Sequence, residues 1–188
     1  MNNNNQTQDY KDSQVLLKIV KMISEYVYGT EQHPYTTISG PSIYVSKHNP
    51  KYELKLWTID FEPGMYFTET LWEAFKYYGA DDFAEFWLDV EGDFWRDRKI
   101  DKNSDGTRSI TEKYIPIMLK MINSAQCFSI GNDYIHGPFV GGEEDKKWYW
   151  RIEKEDNKDK EIESLSTAFE YFGLQQEADV IKRLIEKK

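Results

Sequence analysis

The chain has 188 residues, of which 15% are aromatic, and its formal net charge is −9. The aromatic content excludes a disordered chain, and the acidity excludes a protein that grips nucleic-acid phosphates through clustered Lys and Arg. No apolar stretch reaches the length of a membrane span, and a single cysteine, Cys127, excludes a disulfide framework. We therefore expect a folded, cytoplasmic protein without direct nucleic-acid or membrane binding.

The chain opens with a polar, asparagine-rich segment, and residues 1–13 are predicted to be a disordered tail. A helix is predicted next from apolar residues at helical spacing, namely Leu16, Ile19, Val20, Ile23 and Val27. Residues 35–45 predict a strand, a turn at Gly40-Pro41 and a short second strand. Residues 52–61 predict a clear strand, which Pro63 and Gly64 end.

The most informative stretch covers residues 70–90, because a weaker version of it returns at residues 164–184. Each copy has one apolar helical stripe, formed by Leu71, Ala74, Phe75 and Tyr78 in the first and by Leu165, Ala168, Phe169 and Phe172 in the second. Gly79 and Gly173 follow the stripes, where helices often end in a left-handed residue. Each copy is therefore predicted to be two helices joined at a glycine.

The segments upstream of the two copies also match, in the same order. Residues 115–123 resemble residues 16–24, residues 135–142 resemble residues 38–45, and residues 147–154 resemble residues 54–61. Alternation of Trp148, Trp150 and Ile152 predicts a strand that is buried on one face. The glycine-rich residues 137–142 are interpreted as a turn, and Pro116 is expected to begin or kink the helix that contains it.

These matches predict an α+β protein of two tandem duplicated modules, each a helix, a β-hairpin or meander and two helices, packed as one compact body. The predicted parts are the tail at 1–13, a first repeat module at 14–95, a polar linker at 96–109 and a second repeat module at 110–188. Convergence on generic amphipathic patterns explains one matched hairpin. Four matched elements in one order favour duplication.

Residues 101–112 fit the spacing of a calcium-binding loop. The oxygen ligands would be Asp101, Asn103, Asp105, Ser109 and Glu112, with Gly106 at the sharp turn. Over these twelve residues the segment resembles an EF-hand or dockerin-type loop, which implies calcium as a ligand. We expect no other cofactor. Arg108 departs from the apolar residue usual at its position. The alternative is a linker that ends in a capping box of Ser109 and Glu112.

Catalytic patterns are weak in this sequence. The three histidines His33, His48 and His136 lack zinc spacing, and no phosphate loop or nucleophile elbow occurs. Two alternative functions remain: a small enzyme with a cleft between the repeats, using His136 and a carboxylate, or a calcium-stabilised structural module.

Residues 60–95 carry ten acidic residues against one basic residue, Lys76. The sequence favours a non-enzymatic acidic module that binds a basic surface of another protein. In composition it is similar to inhibitors such as immunity or phage counter-defence proteins, some of which mimic nucleic acid. The oligomeric state stays open. The predicted binding residues are Asp81, Asp82, Glu85, Asp89, Glu91, Asp93, Trp87 and Trp95, the aromatic ones having core packing as their alternative role.

Overall fold

The computed structural model describes residues 7–29, 36–45, 47–51, 53–61, 64–91, 112–141, 147–155 and 159–186. These residues form helices and antiparallel strands, so the predicted α+β class is confirmed. The chain divides into two compact units: the first unit is Ser24–Ser109, and the second combines Met1–Ile23 with Ile110–Lys188. Within the described ranges no helix is long and apolar enough to cross a membrane.

The elements follow one another in the same order in both halves of the chain. The first half contains α1 (Gln8–Val20), β1 (Ile23–Val27), β2 (Thr37–Val45), β3 (Glu53–Phe61), β4 (Gly64–Thr68), α2 (Leu71–Tyr77) and α3 (Asp81–Glu91). The second half contains a 3-10 turn (Glu112–Tyr114), α4 (Ile115–Ser124), β5 (Ala125–Ile130), β6 (Asp133–Gly141), β7 (Lys147–Glu153), β8 (Lys160–Ile162), α5 (Leu165–Tyr171) and α6 (Gln175–Leu184). Among the described residues each half thus contains a helix, four strands and two helices in that order, and the second half begins with the additional 3-10 turn.

In the first unit the strands lie in the order β4-β3-β2-β1, and α2 packs on β3 and β4. Tyr26, Ile38 and Ile59 come from three adjacent strands and are fully buried, as is Phe75 of α2. The rings of Tyr26 and Phe75 meet edge to face with centroids 5.1 Å apart. Burial of each such side chain contributes about 2 to 3 kcal/mol, so this layer between strands and helix is the core.

In the second unit the strands lie in the order β5-β6-β7-β8, and Phe128 of β5 packs on Phe169 of α5 with ring centroids 5.6 Å apart. Helix α1 belongs to this unit, because it packs against α4 and α6. The sequence pattern places residues 14–95 in the first repeat module, and residues 14–23 of that range lie in the second unit. Chain order alone does not reveal which partner a buried apolar stripe will meet.

Helix α1 is shifted towards the N-terminus relative to the prediction. Thr7 caps it, since its side-chain oxygen accepts a hydrogen bond from the amide of Tyr10 at 3.1 Å. Residues 8–13 are therefore helical and the tail prediction is wrong for them, whereas residues 1–6 lie outside the described ranges. The helix ends at Val20, and Ile23 and Val27 lie in β1. Residues four apart share a face in a strand as well as in a helix, which explains the error.

Both predicted turns at Gly-Pro are bulges inside long strands. Strand β2 continues through Gly40-Pro41 with a shift of register between Ser39 and Ser42, and β6 shifts in the same way between His136 and Phe139. Gly40 and Gly137 have φ of 138° and 139°, and the peptide bond that follows each is cis. A glycine at positive φ accommodates the irregular residue without a side-chain clash.

The helical hairpins are confirmed, and α4 begins at Ile115, next to Pro116, as the proline predicts. Gly79 and Gly173 leave their helices with φ of 74° and 73°. Strand β3 lies within the predicted range, but β4 and β8 were not predicted. The one-sided burial predicted for β7 holds for Ile152, which is fully buried, and fails for Trp148, which is 62% exposed.

Candidate functional site

The hairpin of α2 and α3 is fixed by local signals in the sequence. Thr70 caps α2: its hydroxyl accepts from the amide of Glu73 at 3.4 Å and donates to the carboxylate of the same residue at 2.8 Å. After Gly79 turns the chain, α3 begins at Asp81. Acidic residues occupy its first turn, where the positive end of the helix dipole stabilises negative charge. The orientation of α3 therefore follows from the cap, the glycine and its apolar stripe.

Helix α3 has one apolar face and one acidic face. Phe83, Ala84, Phe86 and Trp87 are buried. On the opposite side Asp82, Glu85 and Asp89 repeat at helical spacing with Asp81 beside them, and all are exposed except Asp89, which is half-buried. The helix contains no Lys or Arg. We call Asp81, Asp82, Glu85 and Asp89 the outer face of α3.

The other predicted binding residues do not join this face. Glu91 is the last residue of α3, and its side chain lies outside the described part of the structure, as do Asp93 and Trp95. Trp87 is 5% exposed, so its prediction as a partner-binding residue is wrong. Its indole nitrogen has no hydrogen-bond partner among the described residues. Trp87 continues the apolar stripe of Phe83, and the aromatic residues of α3 are core.

The calcium-loop prediction falls almost wholly outside the described residues, because Asp101, Asn103, Asp105 and Ser109 lie in the range 92–111. Glu112 is described: it begins the 3-10 turn, and its carboxylate accepts a hydrogen bond from the hydroxyl of Thr7 at 2.9 Å. Across the described ranges no group of three or more His, Cys, Asp or Glu residues is arranged to hold a metal ion. Calcium binding by this loop stays a prediction.

The capping-box alternative for the same segment does not explain α4. The N-cap of α4 is Tyr114, which makes no side-chain capping hydrogen bond. Glu112 lies before this cap and in the 3-10 turn, so it is not the third residue of the helix, where a capping-box glutamate belongs.

His136 meets the carboxylate that the enzymatic alternative requires. Its Nε2 atom lies 3.2 Å from a carboxylate oxygen of Glu153 and 4.0 Å from Sγ of the buried Cys127. Catalytic triads place the nucleophile and the carboxylate on different ring nitrogens, so that the imidazole relays a proton between them. Here one nitrogen faces both groups, and the thiol is 4% exposed. The arrangement is that of a histidine–carboxylate contact beside a packed cysteine.

A groove of about 700 Å³ lies in the second unit beside β7 and β8. Its lining is Gly141, Lys147, Trp148, Tyr149, Glu161, Ile162 and Glu163. His136 is not part of this lining, so the groove does not supply the substrate cleft that the enzymatic alternative needs.

The first unit also has an exposed aromatic surface that the sequence did not reveal. Tyr66 of β4 and Tyr77 of α2 are 46% and 56% exposed, and their ring centroids lie 5.0 Å apart. A hydrogen bond with Tyr66 raises the pKa of Tyr77, and burial raises the pKa of the neighbouring Tyr78 to about 12. Phe61 stacks on Tyr66 with a centroid distance of 5.3 Å. The only sequence signal for this strand is the run Met65-Tyr66-Phe67 after Pro63-Gly64, which is compatible with a strand but too short to predict one.

No protein-family model, curated protein or solved structure matches the chain. The functional interpretation therefore depends on the geometry of the described residues.

Proposed function

We propose that the protein is a non-enzymatic binding module that engages a basic surface of another protein through the outer face of α3. The observation that carries this proposal is the division of α3 into a buried aromatic face and an acidic face without any Lys or Arg. Four carboxylates on three helical turns create a negative potential that attracts basic groups. The proposed action is that of an inhibitor, of the immunity or counter-defence type, in which the acids mimic nucleic-acid phosphates.

Comparison with α6 supports a role for these acids beyond folding. Helix α6 follows Gly173 as α3 follows Gly79, and it carries Gln175, Gln176, Asp179, Lys182 and Arg183 on its exposed positions. The same kind of helical hairpin therefore forms when the exposed face of its second helix carries both acidic and basic residues. The acids of the outer face of α3 are therefore not required for a helix to follow the glycine turn, and a binding function explains their presence.

The proposal includes an origin by tandem duplication. Both halves have the order helix, four strands and two helices, and both have a register shift at the same place in the second strand. Each helical hairpin turns at a glycine with φ near +74°. The proposed location is the cytoplasm, where a single buried cysteine stays reduced.

The test is capture of partners from host lysate by three forms of the full chain. One form is wild type, and the second carries Asp82→Lys, Glu85→Lys and Asp89→Lys. The third is a charge-matched control, with lysine at three exposed acids of the second unit, Glu163, Glu170 and Asp179. We expect a partner that wild type and the control capture and the α3 variant does not. Equal capture by all three forms, or equal loss in both variants, would contradict the proposal.

A further inference from the structure

Strand β4 is the outer strand of the first unit among the residues that the structure describes. It stands at the end of the order β4-β3-β2-β1, and none of the described strands pairs with its outer side. It contains no charged residue, and Met65, Tyr66 and Phe67 are all about half exposed. Outer strands of this kind are usually protected by charges, by proline or by being short, because their unpaired backbone groups accept another strand.

The outer strand of the second unit is protected in this way. Strand β8 has only three residues, and two of them, Lys160 and Glu161, are charged and exposed. The fold therefore does not require an apolar outer strand at this position. Strand β4 thus lacks the charges and the shortness that protect β8.

Equivalent tyrosines of the two units also have different surroundings. Tyr77 and Tyr171 are equivalent, since each ends its helix two residues before the glycine that turns the hairpin. In the second unit the ammonium groups of Lys154 and Lys160 each lie 4.8 Å from the ring centroid of Tyr171. The chain thus covers this ring with its own cations, an arrangement that the ring quadrupole stabilises.

The place of Lys160 is taken by Tyr66 in the first unit. The fully buried Ile152 pairs with Lys160 across β7 and β8, and the fully buried Ile59 pairs with Tyr66 across β3 and β4. Among the described residues no Lys or Arg lies over the ring of Tyr77, which is more exposed than that of Tyr171. In the part of the chain that the structure describes, the first unit therefore has the aromatic ring but not the cation of this contact. The second unit has both the ring and the cations.

We propose that β4 and the Tyr66–Tyr77 rings bind an extended basic segment of a partner protein, which adds a strand to β4 and lays a Lys or Arg side chain on these rings. The occupant is inferred from charge complementarity: residues 60–95 contain ten acids and the single base Lys76. A second copy of this acidic chain would bring like charges together. The contact of Lys154 and Lys160 with Tyr171 shows which group such a ring binds, namely an ammonium or other cation.

The side chains of β4 define the pattern of the segment. Tyr66 points to the side on which α2 packs, where it meets Tyr77. Met65 and Phe67 alternate with it and lie on the opposite face. An added strand therefore alternates basic residues, which face the tyrosines, with apolar residues, which cover Met65 and Phe67. This surface consists of β4 and α2 and is distinct from the outer face of α3, so the inference goes beyond the proposed function.

The probe is a labelled, acetylated and amidated hexapeptide of alternating lysine and valine, and binding to the full chain is measured by fluorescence anisotropy at low ionic strength. Tyr77→Leu removes the ring at an exposed position, and we expect it to weaken binding about five-fold. Tyr77→Phe keeps the ring and retains the affinity. Tyr171→Leu is the matched control and leaves the affinity unchanged. Thermal melting verifies that each variant is folded.

Changes to the peptide test the same contact without altering the protein. Replacement of lysine by norleucine is expected to abolish measurable binding, because the cation is lost. N-methylation of alternate backbone amides is expected to do the same, because an added strand needs its N–H groups. Unchanged binding of either peptide would overturn the proposal.

Two further outcomes would also overturn it. If the Asp82→Lys, Glu85→Lys, Asp89→Lys variant loses the peptide while Tyr77→Leu keeps it, the peptide binds at the outer face of α3, and this inference fails while the proposed function stands. If sedimentation shows a dimer that Phe67→Lys dissociates, the occupant of β4 is a second copy of the chain. A different combination separates the two proposals in the other direction. If Tyr77→Leu loses the peptide while the α3 variant captures the same partners as wild type, this inference is supported and the proposed function is refuted.

Discussion

At the scale of single residues, a partly buried ion pair between Asp12 of α1 and Arg183 of α6 holds α1 in the second unit. Both oxygens of Asp12 accept hydrogen bonds from Arg183, at 2.6 and 2.7 Å, and Gln8 donates a third at 2.8 Å. The side chain of Asp12 is 5% exposed and that of Arg183 is 38% exposed. Removal of the cation strands a buried carboxylate, whereas replacement of both groups by apolar residues does not.

We therefore expect Arg183→Met to lower the free energy of unfolding by about 2 kcal/mol, less than for a fully buried pair because Arg183 is partly exposed. Lys182→Met, at the exposed neighbouring position, is the control and should change it by less than about 0.5 kcal/mol. Urea denaturation measures both. Equal stability of the two variants would show that the ion pair does not hold α1 in place.

The same pair makes stability depend on pH. Hydrogen bonds from Arg183 lower the pKa of Asp12 in the folded state. The stabilisation is complete above the unfolded pKa of about 3.9 and is lost as pH falls through the folded pKa. Urea midpoints measured between about pH 5 and about pH 2 should fall more steeply for wild type than for Arg183→Met. Parallel curves would assign the acid sensitivity to other carboxylates.

At the scale of elements, the two faces of α3 have different roles: its buried residues stabilise the fold, and its exposed acids are the proposed binding residues. Phe86 is fully buried, and the adjacent Glu85 is exposed on the other side of the helix. We expect Phe86→Ala to lower the free energy of unfolding by about 3 to 5 kcal/mol, and Glu85→Ala to change it by less than about 0.5 kcal/mol. Chemical denaturation of the two variants tests the orientation of α3. A large destabilisation by Glu85→Ala would mean that the face assignment is wrong.

Replacement of glycine by alanine should destabilise the strand bulge at Gly137 more than the helix end at Gly173. At Gly173, where φ is +73°, an added Cβ meets no atom within 4 Å. Alanine should therefore lower the free energy of unfolding only by the strain of a positive φ, about 1 kcal/mol. At Gly137, where φ is +139°, the Cβ would lie 3.0 Å from the Trp150 ring and 3.1 Å from the Tyr149 carbonyl oxygen. Denaturation midpoints should show Gly137→Ala as at least twice as destabilising. The reverse order would contradict the bulge geometry.

The elements that the sequence predicts correctly are those with a complete local signal. The hairpins of α2–α3 and α5–α6 have a cap, an apolar stripe and a terminal glycine. Strands β4 and β8 have no such signal, because their sequence patterns are short and their pairing partners determine them. The sequence predicts the acidic face of α3 because charge is visible in sequence. It does not predict the burial of Trp87, because an aromatic residue serves cores and interfaces alike. The Tyr66–Tyr77 surface forms only when β4 meets α2.

At the scale of the whole molecule, the calcium-loop prediction has a direct test. A cation that binds only the folded state raises the melting temperature, by an amount that follows RT ln(1 + [L]/Kd). The loop predicts a higher melting temperature in calcium than in chelator, and a smaller difference for the variant Asp105→Ala. Identical melting curves for wild type in calcium and chelator would make Asp101, Asn103, Asp105 and Glu112 a linker.

The uneven charge of the chain connects its architecture to the proposed function. Residues 60–95 have ten acids and one base, a balance equal to the net charge of −9 for the whole chain. The outer face of α3 concentrates four of these acids on the surface. Attraction between such a face and a basic partner accelerates association and is screened by salt, since the Debye length falls from about 30 Å at 0.01 M to about 10 Å at 0.1 M.

The most direct measurement of the central claim is the association rate constant of the captured partner as a function of ionic strength. Wild type and the Glu163→Lys, Glu170→Lys, Asp179→Lys control should both associate at least ten-fold more slowly at 0.1 M than at 0.01 M salt. The Asp82→Lys, Glu85→Lys, Asp89→Lys variant should associate slowly at both. Equal salt dependence in all three proteins would contradict the claim that the outer face of α3 binds the partner.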